Sequence, residues 1–460
     1  MVSPKTVPQP NPTESRVAAN VRSSLFWMVV VALALRLAVV AFLYPERLNP
    51  ERDHWRFAGE TGRIARSIVQ GNGFSSPLHA PTGPTAWMTP VYPALLAAVF
   101  WLFGISTKAS ALVMLSLDSL FSALTCIPVF FIARRSFGER TAVWAGWSWA
   151  FFPYAIYFSA DFIWATTLTT LMLSLLFLTA LHLEDSSPMS RWAGFGALTG
   201  VGALTDPIVL SVAPLLAGCM CYRLARKRQR WFLPATGAAL TFVIVVTPWF
   251  VRNYRAFHAV VPFRDNLGLE LYVGNNGSTW HFAPSGFHPS DTEREWNEYA
   301  QMGELAYMKH KREQAMRFIA SHPGEFAVLS LRRALYMWTN FWSFDRQYLE
   351  AEPLDPANVG LCTALTVLTL VGLRGAFQRG VDIGMPYAIA LFFFPVVYYL
   401  THPEDYYRRP IDPIFVVLAV YAVTSWIRNR ARPAPSQVQA RSVLSSTDPT
   451  TLRQQARSNE

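Results

Sequence analysis

The first candidate for chemistry is an acidic residue that follows the first long apolar run of the chain. Asp53 lies about nine residues beyond the run Leu25–Tyr44, next to His54. A carboxylate near a membrane surface can act as a general base toward a hydroxyl nucleophile. The alternative is structural, because Asp is also a good N-cap for the helix that the pattern predicts over Trp55–Gln70.

A second acidic candidate is Asp161, which stands between two apolar runs in Tyr157-Phe158-Ser159-Ala160-Asp161-Phe162. It could cap the following helix or help to position a substrate, and its spacing does not decide between these roles. Asp206 precedes Pro207 and is most simply a turn residue between two runs.

Two arginine pairs stand at the ends of apolar runs. Arg252 and Arg255 follow Pro248-Trp249-Phe250-Val251, and Arg408 and Arg409 precede Pro410. A guanidinium at such a place can bind a phosphate bidentately. It can equally extend to the lipid headgroups without binding a substrate.

A metal site is not predicted. His402, Glu404 and Asp405 carry suitable donor atoms, but their spacing matches no strong metal motif and Pro403 restricts them. We therefore expect no cofactor, with a divalent metal at these residues as the less favoured alternative.

The composition is that of a membrane protein. Of 460 residues, 52% are hydrophobic and only 15% are charged, whereas soluble proteins carry roughly 25% charged residues. The net charge of +10 does not indicate nucleic-acid binding. Its Arg and Lys residues cluster in short loops between apolar runs, as in cytoplasmic loops of membrane proteins.

The apolar runs predict an all-α polytopic fold of about ten transmembrane helices. Basic clusters such as Arg134-Arg135 and Arg223–Arg230 follow every second run, which places both termini in the cytoplasm. The short run Pro90–Gly104 is left out of this count and is interpreted as an interfacial or re-entrant helix. The ten predicted spans are Leu25–Tyr44, Ala109–Ala133, Ala142–Phe158, Phe162–His182, Trp192–Leu204, Ile208–Tyr222, Trp231–Val251, Val359–Leu373, Gly384–Leu400 and Ile411–Trp426.

This topology divides the chain into five parts. They are a disordered cytoplasmic N-terminus (1–24), a transmembrane core (25–251) with a first outer loop (45–108), a periplasmic segment (252–357), C-terminal transmembrane helices (358–427) and a disordered cytoplasmic tail (428–460). The long polar segments all fall on the outer side, so the outer face is the predicted working surface.

The order of several short motifs from Leu25 to Trp426 resembles a known family, the GT-C superfamily of membrane glycosyltransferases. The branch it resembles contains protein O-mannosyltransferases, aminoarabinose transferases and bacterial lipopolysaccharide-core transferases. The motifs are Asp53, Gly71-Asn72-Gly73-Phe74, Thr89-Pro90-Val91-Tyr92-Pro93, Arg134-Arg135-Ser136-Phe137-Gly138, Pro153 before Asp161, Pro248-Trp249 with Arg252-Asn253, and Tyr407-Arg408-Arg409-Pro410.

The resemblance implies a sugar donor carried on a polyprenyl phosphate and a lipid, glycan or protein acceptor. It implies that a loop carboxylate, here Asp53, acts as general base and that the anomeric carbon is inverted. The donor phosphate needs cationic partners, for which Arg252, Arg255, Arg408 and Arg409 are the candidates, while His54 and Asp161 are candidate substrate-binding residues. The resemblance also implies a bacterial inner membrane.

Two positions depart from the family pattern. Many relatives carry a second acidic residue directly after the loop Asp, where this chain has His54. Relatives often carry a Glu shortly after the Pro153-like position, where this chain has Trp164-Ala165-Thr166. Both departures concern the acceptor chemistry.

A flippase or transporter of lipid-linked saccharides is the alternative function. It needs charged residues along a path through the membrane. Arg36, inside the first predicted span, is the residue that suggests it.

Overall fold

The structure is a computed structural model that describes residues 12–47, 57, 59–183, 188–279, 286–343, 346–351 and 354–430. Strand pairing in these ranges is limited to one antiparallel bridge between Ser75 and Pro84. The α-helices are α1 (Pro12–Arg47), α2 (Glu60–Val69), α3 (Val91–Phe103), α4 (Lys108–Leu124), α5 (Cys126–Phe137), α6 (Glu139–Ala150), α7 (Pro153–Ala160), α8 (Thr166–His182), α9 (Met189–Thr205), α10 (Ala213–Arg226), α11 (Phe232–Phe257), α12 (Leu267–Gly274), α13 (Glu293–Met302), α14 (Glu304–Ser321), α15 (Pro323–Thr339), α16 (Arg346–Ala351), α17 (Asp355–Arg379), α18 (Val381–Phe393), α19 (Val396–Leu400) and α20 (Asp412–Arg430).

Seven helical segments in the described ranges are long and apolar enough to cross a membrane. The predicted all-α polytopic membrane fold is thereby confirmed. The segments are Ser24–Phe42, Lys108–Phe137, Pro207–Arg226, Phe232–Phe257, Asp355–Arg379, Val381–Leu400 and Arg409–Arg430. The other three of the ten predicted spans coincide with shorter helices, namely α8, α9 and the pair α6 and α7.

The predicted span Ala142–Phe158 is divided in two. Helix α6 ends at Ala150 and α7 begins at Pro153, with Phe152 in an extended conformation between them. Proline is well suited to the first turn of a helix because it has no N–H to donate, and it disfavours a helical residue before it. A second difference is that α1 reaches back to Pro12, into the segment for which we expected no structure.

The arginine inside the first span is fully satisfied by neighbouring helices. Arg36 is 0% exposed. Its guanidinium donates to Ser122 Oγ at 2.8 Å and to the carbonyls of Ala32 and Ala150, each at 3.0 Å. A charged group within a bundle is tolerated when such acceptors surround it, so Arg36 has a structural role in joining α1, α4 and α6.

The bundle has two chemically different ends. The segment Pro207–Arg226 is 20 residues long, so a helix of this length extends about 30 Å. Asp206 lies immediately before it, and the basic cluster Arg223–Arg230 begins in its last turn. Asp206 and this basic cluster therefore lie at opposite ends of the bundle.

Two polar segments cover the Asp206 end. The first loop contains α2, a hairpin loop (residues 74–85) and α3. In the hairpin loop, the N–H of Ser76 donates to Gly83 O at 2.9 Å and that of Thr85 donates to Phe74 O at 3.3 Å. The second segment follows α11 and contains α12 to α16. Both segments contribute walls to the candidate site.

Candidate functional site

A cavity of about 390 Å³ lies at the Asp206 end of the bundle. Its walls come from distant parts of the chain: the first loop, the link between α7 and α8, the loop after α11, helix α12 and the segment before α20. This convergence makes it the main candidate site, because ligand sites are concave and combine apolar walls with a few polar groups. The carboxylate, guanidinium, imidazole and amide side chains that line it are Glu60, Asp206, Arg264, Asn266, Glu270, His288, Asp291, His402 and Glu404.

Arg264 is the arginine of this cavity, and the backbone on both sides of it is fixed. The carbonyl of Phe263 accepts a hydrogen bond from Trp249 Nε1 at 2.7 Å, which ties the loop to α11. The N–H of Asp265 donates to Ala86 O at 3.1 Å, which ties it to the first loop. The loop therefore presents the Arg264 side chain at a fixed place.

The guanidinium of Arg264 keeps its donors available. Within the described part of the chain it makes no hydrogen bond and no ion pair, and its side chain is exposed to the cavity. Burial lowers the pKa of Arg264, but the charges of Asp206 and Glu270 outweigh this effect and raise it above the ordinary value. Arg264 is thus a permanent cation whose planar donors can receive an anionic oxygen.

An ion pair between Glu270 and His402 forms one wall of the cavity. His402 Nε2 lies 2.6 Å from Glu270 Oε2, and Nδ1 lies 3.6 Å from Glu404 Oε1. Burial lowers the pKa of His402, but its contacts with Glu270 and Glu404 outweigh burial and raise the pKa to about 10. Burial also opposes ionisation of Glu270, yet His402 and Arg264 hold its pKa below the ordinary value. His402 is therefore a cation at neutral pH.

The position of this pair is set by close backbone contacts. A Cβ at Gly274, the last residue of α12, would lie 1.9 Å from Thr401 O, so only glycine allows this approach. Asn275 Nδ2 donates to Leu400 O at 2.8 Å, and Arg333 of α15 donates to the carbonyls of Gly274 and Leu400. These bonds hold α12 beside the segment that carries His402.

The remaining charged groups make the cavity rich in carboxylates. Glu60, in the first turn of α2, is 3% exposed, and its Oε1 lies 3.5 Å from His288 Nε2. Burial raises the pKa of Asp206, and Arg264 offsets only part of this effect. Asp291 accepts hydrogen bonds from the N–H groups of Gly286 and His288. Such acceptors suit a ligand with many hydroxyl groups.

The acidic residues singled out in the sequence are placed as follows. Asp53 and His54 lie outside the described residues. Glu60, seven positions after Asp53, lines the cavity. Asp161 is the C-cap residue of α7 and does not line this cavity, although its neighbours Phe162 and Trp164 do.

Arg252 and Arg255 do not line the cavity. Arg252 donates to Thr85 O at 2.6 Å and to Phe74 O, which are the two ends of the hairpin loop. Its guanidinium also lies 5.0 Å from the ring of Trp249. Arg255 is exposed in the last turn of α11. Arg252 therefore fastens the first loop to the bundle.

Arg408 and Arg409 are buried around one carboxylate. Arg408 Nε lies 3.0 Å from Asp412 Oδ1, and Arg409 Nη1 lies 3.2 Å from Asp412 Oδ2. Arg409 also lies 3.8 Å from the ring centre of Tyr154. These contacts join the start of α20 to α7, directly behind Pro410, which lines the cavity.

Arg264, Glu270 and Glu60 are not among the site residues predicted from the sequence. A usable signal existed for Arg264, because it stands in Pro262-Phe263-Arg264-Asp265 on the predicted outer side, where arginine is disfavoured just as at Arg252. The Glu270–His402 pair had no such signal, since its members are 132 positions apart.

No group of three His, Cys, Asp or Glu side chains within the described ranges is arranged to hold a metal ion. Of the suggested set, His402 is bonded to Glu270 and near Glu404. The expectation of a cofactor-free site stays a prediction.

The fold and the site define a polytopic membrane protein with a polar, carboxylate-rich cavity at one end of its bundle. Residues 85–251 match the family model of the dolichyl-phosphate-mannose-protein mannosyltransferases. This match confirms the resemblance to GT-C glycosyltransferases that motif order predicted. A comparison with curated proteins finds no match.

Two solved structures are among those to which the chain is similar. The archaeal oligosaccharyltransferase AglB from Archaeoglobus fulgidus, solved with an inhibitory peptide and a dolichol-phosphate, is 16% identical at a TM-score of 0.50. The match covers 91% of this chain and 53% of AglB, so the chain spans about half the length of that protein. ArnT from Cupriavidus metallidurans, bound to undecaprenyl phosphate, is 14% identical at a TM-score of 0.38, with 87% of this chain and 77% of ArnT covered.

Proposed function

We propose that the chain is a membrane glycosyltransferase that moves a sugar from a polyprenyl-phosphate donor to an acceptor hydroxyl. The observation that carries this proposal is Arg264, which makes no hydrogen bond or ion pair within the described residues and lines a polar cavity at one end of the membrane bundle. A lipid-linked donor places its phosphate at such an end of the bundle, and a phosphate leaving group needs a fixed cation. The family match over residues 85–251 supports the same class of reaction.

The proposed reaction is a single displacement at the anomeric carbon. The acceptor oxygen attacks from the face opposite the phosphate, the bond between carbon and phosphate oxygen breaks, and the phosphate leaves with the electron pair. Asp53 takes the proton of the acceptor hydroxyl, and the anomeric configuration is inverted. Arg264 stabilises the charge on the leaving phosphate, while Glu270 and Glu404 accept hydrogen bonds from sugar hydroxyls.

The proposed roles of the other arginines differ from those first expected. Arg408 and Arg409 share Asp412 and make a rigid, positively charged wall behind the cavity. Arg252 holds the first loop in place. In this arrangement Arg264, rather than Arg252 or Arg255, receives the donor phosphate.

The proposed orientation follows from the charged ends of the bundle. The basic cluster Arg223–Arg230 lies at the end opposite the cavity, and such clusters favour the cytoplasm. The cavity then opens at the non-cytoplasmic face of a bacterial inner membrane, with both termini cytoplasmic. Transport of lipid-linked saccharides is less well supported, because the guanidinium of Arg36 is bonded to neighbouring helices.

The test is transfer of labelled sugar in membranes from a panel of polyprenyl-phosphate sugars, with wild type beside Asp53→Asn and Glu60→Gln. Loss of a general base lowers the rate about 10²–10⁴-fold, so Asp53→Asn should lose transfer by that factor and retain its expression. Glu293→Gln, exposed in α13, is the control. A fully active Asp53→Asn with an inactive Glu60→Gln would move the base to Glu60. Wild type without transfer from any donor would overturn the reaction class.

A further inference from the structure

A second cavity, of about 900 Å³, lies on the other side of α2. It is lined by α2, by the hairpin loop and by Ser106, which lies in the loop between α3 and α4. The first turn of α2 separates it from the first cavity, since Glu60 lines the first while Gly59, Gly62 and Arg63 line the second. A ligand here would lie next to the first cavity, with the first turn of α2 as the wall between them.

The two cavities have opposite charge. Five carboxylates line the first, namely Glu60, Asp206, Glu270, Asp291 and Glu404. Among the described residues that line the second there is no Asp or Glu, and the ionisable ones are Arg63, Arg66 and His79. Burial is the main cause that lowers the pKa of His79, and the charges of Arg63 and His288 add to this effect while that of Glu60 opposes it.

Both arginines retain free donors. Arg63 is half-buried, and in the described structure its side chain makes one hydrogen bond, from Nη1 to Pro77 O at 3.2 Å. Arg66 lies one turn later, is exposed, and makes one long contact of 3.5 Å to Ser106 Oγ. Residues one turn apart on a helix face the same side, so the two guanidinium groups can bind one anion together.

The rest of the wall suits a saccharide. Gln70 and Asn72 present amide groups that are exposed to solvent. Ser67 and Ser75 line the wall below them, where they are buried and hydrogen-bonded to each other at 2.6 Å. Amide and hydroxyl groups both donate and accept, which matches the hydroxyl groups of a glycan better than the apolar side chains of a peptide.

We propose that this second cavity is the acceptor subsite and that its acceptor is a glycan with an anionic group, a phosphate or a carboxylate, bound by Arg63 and Arg66. The proposal rests on the proposed transferase function. It adds the chemical class of the acceptor, which the first cavity does not indicate.

The test measures binding of three disaccharides to the purified full chain in nanodiscs without donor, by saturation-transfer NMR titration. The probes are maltose 1-phosphate, a disaccharide ending in glucuronate, and neutral maltose. A hydrogen-bonded charge contributes about 1.5–3 kcal/mol, so at least one anionic probe should bind about tenfold or more tightly than maltose. Which anionic probe binds more tightly distinguishes phosphate from carboxylate.

The variants identify the site. Arg66→Ala and Arg63→Gln should each lose about tenfold in affinity for the anionic probe and leave maltose binding unchanged. Arg294→Ala, an exposed arginine of α13, is the matched control and should bind as wild type does. We expect Arg66→Ala to fold as wild type does, since the Arg66 side chain bonds to no backbone group in the described structure. Loss of binding in this variant is therefore not explained by a folding defect.

Three results would overturn the proposal. They are equal affinity for all three disaccharides, anionic binding that neither variant weakens, and tighter binding of an acidic hexapeptide than of either anionic disaccharide. Because no donor is present, these results do not depend on the transfer assay, and failure of that assay leaves them interpretable.

Discussion

Glu270 and His402 form a 2.6 Å ion pair that joins α12 to the segment before α20 across the wall of the cavity. Both side chains are largely removed from solvent, and Glu404 lies 3.6 Å from the other ring nitrogen of His402. The imidazolium of His402 lies between the carboxylates of Glu270 and Glu404 and so fixes the geometry of the cavity wall that they form. Disruption of this pair therefore affects both stability and the site.

We expect Glu270→Gln and His402→Gln each to lower the thermal unfolding midpoint. Removal of one partner from a buried ion pair costs about 3–5 kcal/mol, because the other charge is left without compensation. Scanning fluorimetry in detergent measures the shift, and the double variant should lose less than the sum of the two. Additive losses would mean that the two residues act separately.

The same pair predicts a pH dependence. The pKa of His402 is raised to about 10 in the folded protein, from about 6.5 when unfolded. Its stabilising contribution is therefore complete below about pH 6.5 and is lost as the pH rises toward 10. The pKa of Glu270 is lowered, so its contribution is present above its ordinary value and lost at more acidic pH. The difference between wild type and His402→Gln should shrink between pH 7 and 10, and parallel curves would contradict this assignment.

A second prediction separates Arg264 from Arg255 as the donor-phosphate ligand. Hydrogen bonds to charged groups contribute about 1.5–3 kcal/mol, so Arg264→Ala should raise the KM for the donor roughly 10- to 100-fold and lower kcat. Arg264→Lys keeps the charge and should recover part of the loss. Arg255→Ala, in the exposed last turn of α11, should change KM little. The reverse result would return the phosphate site to the end of α11.

The fold could be predicted from the sequence because the length of an apolar run and the bilayer thickness are directly related. The helix break before Pro153 is a local effect that a hydropathy window averages away. The site was harder to predict from the sequence, because Glu270 and His402 pair across 132 positions and neither stands in a motif. Spacing identifies residues of suitable chemistry, but only packing decides that Arg252 bonds to backbone carbonyls while Arg264 remains available.

A third prediction concerns Arg252, which joins the two ends of the hairpin loop. Its guanidinium donates to both Thr85 O and Phe74 O, and an ammonium group cannot reproduce this planar arrangement. We expect Arg252→Lys to lower the unfolding free energy by about 1–3 kcal/mol for each carbonyl left unpaired. The hairpin loop lines the second cavity, and Trp87 and Met88 directly after it line the first. Transfer should therefore fall as well.

The matched control is Arg255→Lys, one turn later on α11 and exposed. Limited proteolysis of the hairpin loop distinguishes this mechanism from a direct role in binding. Faster cleavage in Arg252→Lys than in wild type supports the fastening role. Unchanged cleavage with a raised donor KM would instead make Arg252 a substrate ligand.

A fourth prediction concerns two carboxyl groups beside Arg264. Asp265 and Glu304 lie together where the loop after α11 meets the first loop. Glu304 accepts hydrogen bonds from Thr85 Oγ1 and Ala86 N, each at 2.6 Å. The oxygens of Asp265 are buried, and the carboxyl group of Glu304 is their side-chain hydrogen-bond partner when the pair holds a proton. Burial, followed by the charge of Glu304, raises the pKa of Asp265 well above its ordinary value, and burial also raises that of Glu304.

A carboxyl group whose pKa is raised on folding binds its proton more tightly in the folded state. Its contribution to stability is therefore greatest below the unfolded pKa, about 4, and falls as the pH rises toward the folded pKa. Asp265→Asn replaces the acid with a neutral group of similar shape and removes this loss. We expect its unfolding midpoint to exceed that of wild type at pH 8 and to approach that of wild type at pH 5. Glu293→Gln, exposed in α13, is the control and should have the unfolding midpoint of wild type at both pH values. An Asp265→Asn variant less stable than wild type at pH 8 would show that the fold requires the ionised carboxylate.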